Sequence, residues 1–209
     1  MEKESYLKEL YARNPPGSLS RLQGKVVGIA GAGGLGSNIA VSLLRSGVQR
    51  FILADHDRVE LSNLNRQHYF LDQVGMEKTA ALHQNLLRIN PHVEVTLHCR
   101  RISADNLAAI FADAHLLIEA FDEPEMKALT AHCWTKSYPD RFLVMGSGIS
   151  GYGRNEAMTT MVRGRLVICG DQQTSCTAGA GLTACRLGIV AQMQANAALE
   201  ILLDGGLQG

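Results

Sequence analysis

Val26-Val27-Gly28-Ile29-Ala30 runs directly into Gly31-Ala32-Gly33-Gly34-Leu35-Gly36, and an apolar-periodic stretch continues to Arg45. A short apolar strand that turns through glycines into a helix is the opening unit of a doubly wound, mostly parallel sheet. Glycine at such a turn lets an anion approach the backbone, and the first amides of the helix supply donors without a cationic side chain. The loop by itself fits NAD, FAD and ATP alike.

Outward from this unit, apolar runs at 26–30, 50–54, 93–98, 116–121 and 142–145 alternate with helical patterns near 36–45, 77–89, 104–111 and 124–137. This alternation predicts an α/β, Rossmann-like fold. Glycines at 146, 148, 151 and 153 break the pattern, and runs at 158–162 and 166–169 flank Arg163-Gly164-Arg165 like a hairpin, which predicts antiparallel strands at the C-terminal side. Residues 170–181 read as a loop, and 185–203 as a closing helix. Residues 1–23 read as a helical arm ended by Asn14-Pro15-Pro16-Gly17, and 24–209 as one domain.

At 209 residues and 46% hydrophobic content the chain buries one core. Lysine plus arginine equals aspartate plus glutamate at 20 each, so no global field draws in nucleic acid or an anionic membrane. Without a signal core or an apolar run of membrane length, a cytoplasmic protein is expected. The five cysteines form no Cys-x-x-Cys pair, and the seven histidines show no tight ligand spacing, so neither a zinc site nor a histidine metal site is expected.

The residues that carry chemistry lie downstream of the glycine loop. Asp55 ends the second strand at the spacing of a ribose-binding carboxylate, and Asp57 is either its helper or a solvated loop residue. Arg66 and Lys78 favour ATP over NAD. Attack of a carboxylate on an α-phosphate brings two anions together and expels pyrophosphate, which cations assist, whereas hydride transfer has no such need. Asp122 closes the fourth strand, beside the first in a doubly wound sheet, where it either holds Mg²⁺ on the phosphates or caps the helix that begins at Pro124.

The glycine loop, Asp55, Ser62-Asn63-Leu64-Asn65-Arg66-Gln67, Gly75 with Lys78, Arg88-Ile89-Asn90-Pro91-His92 and Asp122 together resemble the ubiquitin-activating (E1-like) superfamily, and within it the bacterial ThiF and MoeB type. The resemblance implies ATP-dependent adenylation of the C-terminal glycine of a sulfur-carrier protein. It points to a ThiS-like carrier of thiamine biosynthesis, with a MoaD-like carrier, a modified-tRNA carboxylate or a non-catalytic scaffold as alternatives. By residue matching, Gly31, Gly33, Gly34 and Gly36 cradle phosphate and Asp55 holds ribose. Asn63, Arg66 and Lys78 contact phosphates, and Asp122 organises Mg²⁺.

The resemblance further implies a homodimer and a cysteine desulfurase as a second partner. Cys176 falls where such proteins carry a thiol that can link to the carrier; a small buried hydrophobe is the other reading. The chain departs from the family pattern in three places. The zinc-binding cysteine pairs are missing, with only Cys169 near the first; Glu123 stands where asparagine usually comes after the metal aspartate; and the N-terminal arginine that reaches a partner's site has only Arg13 as a substitute.

Overall fold

Strands apolar on both faces and helices with a single apolar stripe are accommodated by one central sheet covered on each side. In the computed structural model, which describes residues 2–174 and 181–207, the strands are β1 (Val26–Ala30), β2 (Arg50–Asp55), β3 (Glu94–Cys99), β4 (Leu116–Glu119), β5 (Phe142–Gly146), β6 (Thr159–Arg163) and β7 (Leu166–Gly170). They form one sheet in the order β3-β2-β1-β4-β5-β7-β6, parallel except for the β6–β7 hairpin. The fold expected from the sequence is therefore observed, with β1 and β4 adjacent.

The helices are α1 (Lys3–Leu10), α2 (Ser18–Leu22), α3 (Gly34–Arg45), α4 (Lys78–Ile89), α5 (Leu107–Ile110), α6 (Pro124–Ser137) and α7 (Ala184–Asp204). One face of the sheet packs against Leu35, Ile39 and Leu43 of α3, Leu82 and Leu86 of α4, and Leu187 and Val190 of α7. The other packs against Leu107 and Ile110 of α5 and Trp134 of α6. Trp134 is fully buried and its indole N–H donates to Phe142 O at 3.1 Å, so truncation to alanine costs about 3–5 kcal/mol. Among the described residues no helix is long and apolar enough to cross a membrane.

Two elements are shorter than expected, each for a local reason. The helix expected over 104–111 is reduced to α5, because the Asn106 amide accepts from Ser103 N–H and donates to Arg101 O, holding the preceding backbone in a turn. The strand expected to reach Phe121 ends at Glu119, because the Phe121 N–H turns back to the Glu119 carboxylate at 2.7 Å. The N-terminal arm packs on its own domain: Tyr11 Oη donates to Leu44 O at 2.8 Å, Asn14 Nδ2 to Ser46 O at 2.9 Å and Tyr6 Oη to Ile89 O at 3.2 Å. Those acceptors lie at the C-terminal ends of α3 and α4, far along each helix from the glycine loop.

Candidate functional site

The four loop glycines divide their labour. Gly31 takes φ +98°, in the left-handed region, and a Cβ there would lie 2.9 Å from Ala120 O. At Gly36 a Cβ would sit 1.9 Å from Gly31 O, so only glycine lets α3 close on the loop. At Gly34 the space is filled by Leu187 of α7, with a Cβ 2.5 Å from its Cδ1. Only Gly33 faces open room, its nearest neighbour being Gln67 Nε2 at 3.9 Å. Close packing thus demands glycine at 31, 34 and 36, while Gly33 alone of the four borders open room; the backbone amides of Gly34 and Gly36 belong to the start of α3, which opens the cradle. No side chain caps that start, so its first amides remain open to an anion.

Asp55 and Tyr69 hold the loop in place. Asp55 Oδ2 accepts the Ala32 N–H at 2.6 Å and Oδ1 the Asp57 N–H at 2.8 Å. The residue expected at the ribose is thus in the first place a strut of the phosphate loop. Tyr69, in no way singled out by its sequence context, donates its hydroxyl to Ala32 O at 2.6 Å. Burial, reinforced by Asp55 and Asp57, pushes that hydroxyl far above the ordinary tyrosine range, so it stays a donor.

Lys78 is nearly buried, and its Nζ lies 2.7 Å from Asp57 Oδ2. Burial pushes the Asp57 carboxyl up, but the hydrogen bond and charge of Lys78, with His56, outweigh it and hold the carboxyl below its ordinary value. Asp57 is thereby a partner of Lys78 and more than a solvated loop residue. Arg66 donates to Ser62 O at 3.1 Å and Asn65 Oδ1 at 2.8 Å, both neutral acceptors, and has no carboxylate partner among the described residues. Its backbone is tied to α3 through Asn38, whose Nδ2 donates to Arg66 O at 2.9 Å and Gly34 O at 2.7 Å. Asn63 is buried and spends its Oδ1 on the Glu60 N–H at 3.1 Å, which stabilises the turn that carries Arg66. Gln67, beside Gly33, has a buried Oε1 with no hydrogen-bond partner, a polar atom with spare capacity at the edge of the cradle.

Asp122 comes after β4 and is exposed, making no hydrogen bond to the described residues. The helix-cap reading fails, since α6 is entered through Glu123 with no side-chain cap bond and Pro124 in its first turn. A free, exposed carboxylate fits Mg²⁺, which takes oxygen ligands, keeps several waters and needs only one or two carboxylates. Asp55, His56 and Asp57 also present ligand atoms within 4.8 Å of one another. Their oxygens are already committed to the Ala32 and Asp57 amides and to Lys78, which makes them a poorer fit.

Two buried ion pairs flank the site, and neither is visible in a motif. Glu119 is fully buried at the end of β4 and faces Lys127 of α6 at 3.0 Å. Burial pushes its carboxyl up, against the pull of Lys127 and the Phe121 N–H. Arg186 of α7 is paired with Asp171 after β7, and also reaches Gly153 O. A signal did exist for the first: a charge inside Leu116-Leu117-Ile118-Glu119-Ala120-Phe121, an otherwise apolar central strand, requires a buried partner. Burial raises the thiol of Cys169 on β7 to about 11, against a weaker pull from Thr160, so it is a poor thiolate donor. Cys176 lies outside the described residues. Arg13 is exposed on the arm, beside residues bound to the far end of α3, so it does not reach the glycine loop of its own chain.

The ThiF family matches residues 8–208. The molybdopterin-synthase adenylyltransferase of Salmonella typhimurium is 30% identical over 185 residues, covering 85% of this chain and 73% of that protein. Ubiquitin-like modifier-activating enzyme 5 of Drosophila melanogaster is 43% identical over 94 residues, covering 45% of this chain and 23% of that protein. Among solved structures, the E. coli tRNA N6-threonylcarbamoyladenosine dehydratase in complex with AMP superimposes with a TM-score of 0.82 at 20% identity, covering 96% of this chain and 94% of that one. At that identity the likeness establishes the fold.

Proposed function

The chain belongs to the ThiF family and is an E1-like adenylyltransferase, and from that premise we propose that it uses ATP and Mg²⁺ to adenylate the C-terminal glycine of a ubiquitin-like carrier protein, releasing pyrophosphate. The observation that carries this reading is the open Gly33 and uncapped α3 start, joined through Asn38 to the loop of Arg66. In the proposed reaction the cradle binds phosphate through backbone donors. Arg66 and Lys78 offset the negative charge that gathers when the carrier's carboxylate meets the α-phosphate. That carboxylate is ionised at neutral pH, so no general base is required. Bound Mg²⁺ supplies charge neutralisation at the phosphates, and Asp122 is the carboxylate that holds it.

The relative matched over most of both chains is named for molybdopterin synthase, which supports a MoaD-like carrier as the first substrate to test. The ThiS-like carrier of thiamine biosynthesis, with Cys176 acting after adenylation and a cysteine desulfurase supplying sulfur, stands second. A homodimer belongs to the same proposal, and in it Arg13 is free to approach the partner's site. ATP–pyrophosphate exchange with each purified carrier tests the reading. Exchange that needs the terminal glycine and Mg²⁺ is expected, and Asp122→Ala should abolish it while leaving the melting temperature unchanged. Exchange that survives Asp122→Ala overturns the metal assignment. No exchange with any carrier overturns the activity.

A further inference from the structure

Glu119 and Lys127 bracket Asp122 in the chain and make more bonds than an ion pair needs. Lys127 Nζ donates to Glu119 Oε1 at 3.1 Å, Glu119 Oε2 at 3.0 Å and Gly146 O at 2.9 Å, which uses all three of its protons. Glu119 Oε1 also accepts the Phe121 N–H at 2.7 Å, and Glu119 O accepts Gln194 Nε2 of α7 at 3.1 Å. Glu119 ends β4 and Gly146 ends the neighbouring β5, while Lys127 rises from the first turns of α6. The four-residue segment between strand and helix, with Asp122 at its third position, is therefore pinned at both ends by one buried charge cluster.

Burying two charges yields little net stability, and apolar residues of similar volume often serve the fold as well. What apolar packing cannot supply is a fixed direction for the Phe121 amide and a tie between the ends of β4 and β5. Resting on the adenylation reading, we propose that Glu119 and Lys127 are positioning residues that aim Asp122 at the Mg²⁺ of the nucleotide and lock the start of the glycine-rich Gly146–Gly153 segment beside it. The Lys127 ammonium is spent on Glu119 and Gly146 O, so the proposal gives neither side chain a contact with the metal or the phosphates. Groups that orient a metal-binding carboxylate alter metal affinity or activity by about 10–100-fold when removed.

The test separates aim from architecture. Lys127→Met leaves a buried unpaired carboxylate and lowers the melting temperature. The double variant Glu119→Gln with Lys127→Met removes both charges, keeps an acceptor for the Phe121 amide and regains most of that loss. In the double variant the Mg²⁺ concentration for half-maximal pyrophosphate exchange should still rise at least about tenfold, with ATP affinity in the absence of Mg²⁺ unchanged. Lys127→Arg, which keeps charge and donors, should restore the Mg²⁺ requirement. A double variant with wild-type melting and a wild-type Mg²⁺ requirement overturns the proposal.

If the double variant does not fold, Glu119→Asp keeps the charge and shortens the clamp by one methylene. A raised Mg²⁺ requirement at unchanged melting temperature then supports the proposal, and an unchanged requirement overturns it. Should the wild-type chain exchange pyrophosphate with no carrier, the adenylation reading fails by itself, and Mg²⁺ titration of a bound fluorescent ATP analogue replaces exchange. Mg²⁺-dependent tightening that the double variant loses supports the positioning role. Equal tightening in both, or none in the wild type, overturns it.

Discussion

Lys78–Asp57 and Lys127–Glu119 are the same pair of chemical groups in two environments, one on each side of the glycine loop. The Asp57 side chain is 51% exposed, while that of Glu119 is 0% exposed. Water can take over from Lys78 at Asp57, so the ammonium can leave its partner for a phosphate at modest cost. At Glu119 nothing replaces Lys127, and separation would strand a charge in an apolar interior. The contrast lies in the carboxylates and not in the lysines, for Lys78 is itself 8% exposed and Lys127 22%: one lysine holds a carboxylate that water reaches, the other a carboxylate that water does not.

The widest separation between the two pairs should come from removing each lysine. Lys127→Met should destabilise the fold by about 3–5 kcal/mol, measurable by denaturant unfolding, because Glu119 is left uncompensated. Lys78→Met should instead lower the exchange rate by about 10²–10³-fold, with stability within about 1 kcal/mol of wild type. If Lys78→Met unfolds the protein as readily as Lys127→Met, the contrast collapses. Removing the carboxylate sharpens it further: Asp57→Asn leaves the buried Lys78 ammonium without its counter-charge and should cost more stability than Lys78→Met, which leaves only a half-exposed carboxylate. An equal or smaller loss would show that Lys78 is solvated without Asp57.

The third pair, Asp171 with Arg186, is enclosed on both sides and carries a pH signature. Burial pushes the Asp171 carboxyl up, but the Thr174 and Gln173 amides, the Thr174 hydroxyl and Arg186 outweigh it and hold the carboxyl below its ordinary value. A carboxyl depressed in the folded state lends stability that is present above the unfolded value of about 4 and lost as pH falls through the folded value. The melting-temperature gap between wild type and Asp171→Asn should therefore be full at pH 6 and narrow below about pH 4. A gap independent of pH would mean that Asp171 acts by shape alone.

Local patterns carried much of the fold. β1 and α6 occupy the spans expected for them, because an apolar run bounded by glycine and a helix entered through Pro124 are settled by near neighbours. α5 and the end of β4 depart from the expected spans where one polar side chain, Asn106 or Glu119, captures a nearby amide and overrides periodicity. In the candidate site, Asp55, Arg66, Lys78 and Asp122 were legible as candidates from spacing and charge. The hydroxyl of Tyr69, the orphan acceptor of Gln67 and the clamp of Lys127 were not, since each depends on contacts that only the folded topology creates. The division among the glycines was hidden for the same reason: what fills the space at Gly34 is Leu187, from the far end of the chain.

That last contact has a consequence for the order of synthesis. α7 supplies Leu187 against Gly34, Gln194 to the carbonyl of Glu119 and Arg186 to Asp171. Domains generally fold as units, while chains emerge from the ribosome N-terminus first. The glycine loop, translated early, therefore waits for a helix translated late, and a ribosome-stalled chain ending before Ala184, though it carries all seven strands of the sheet, should fail to retain nucleotide.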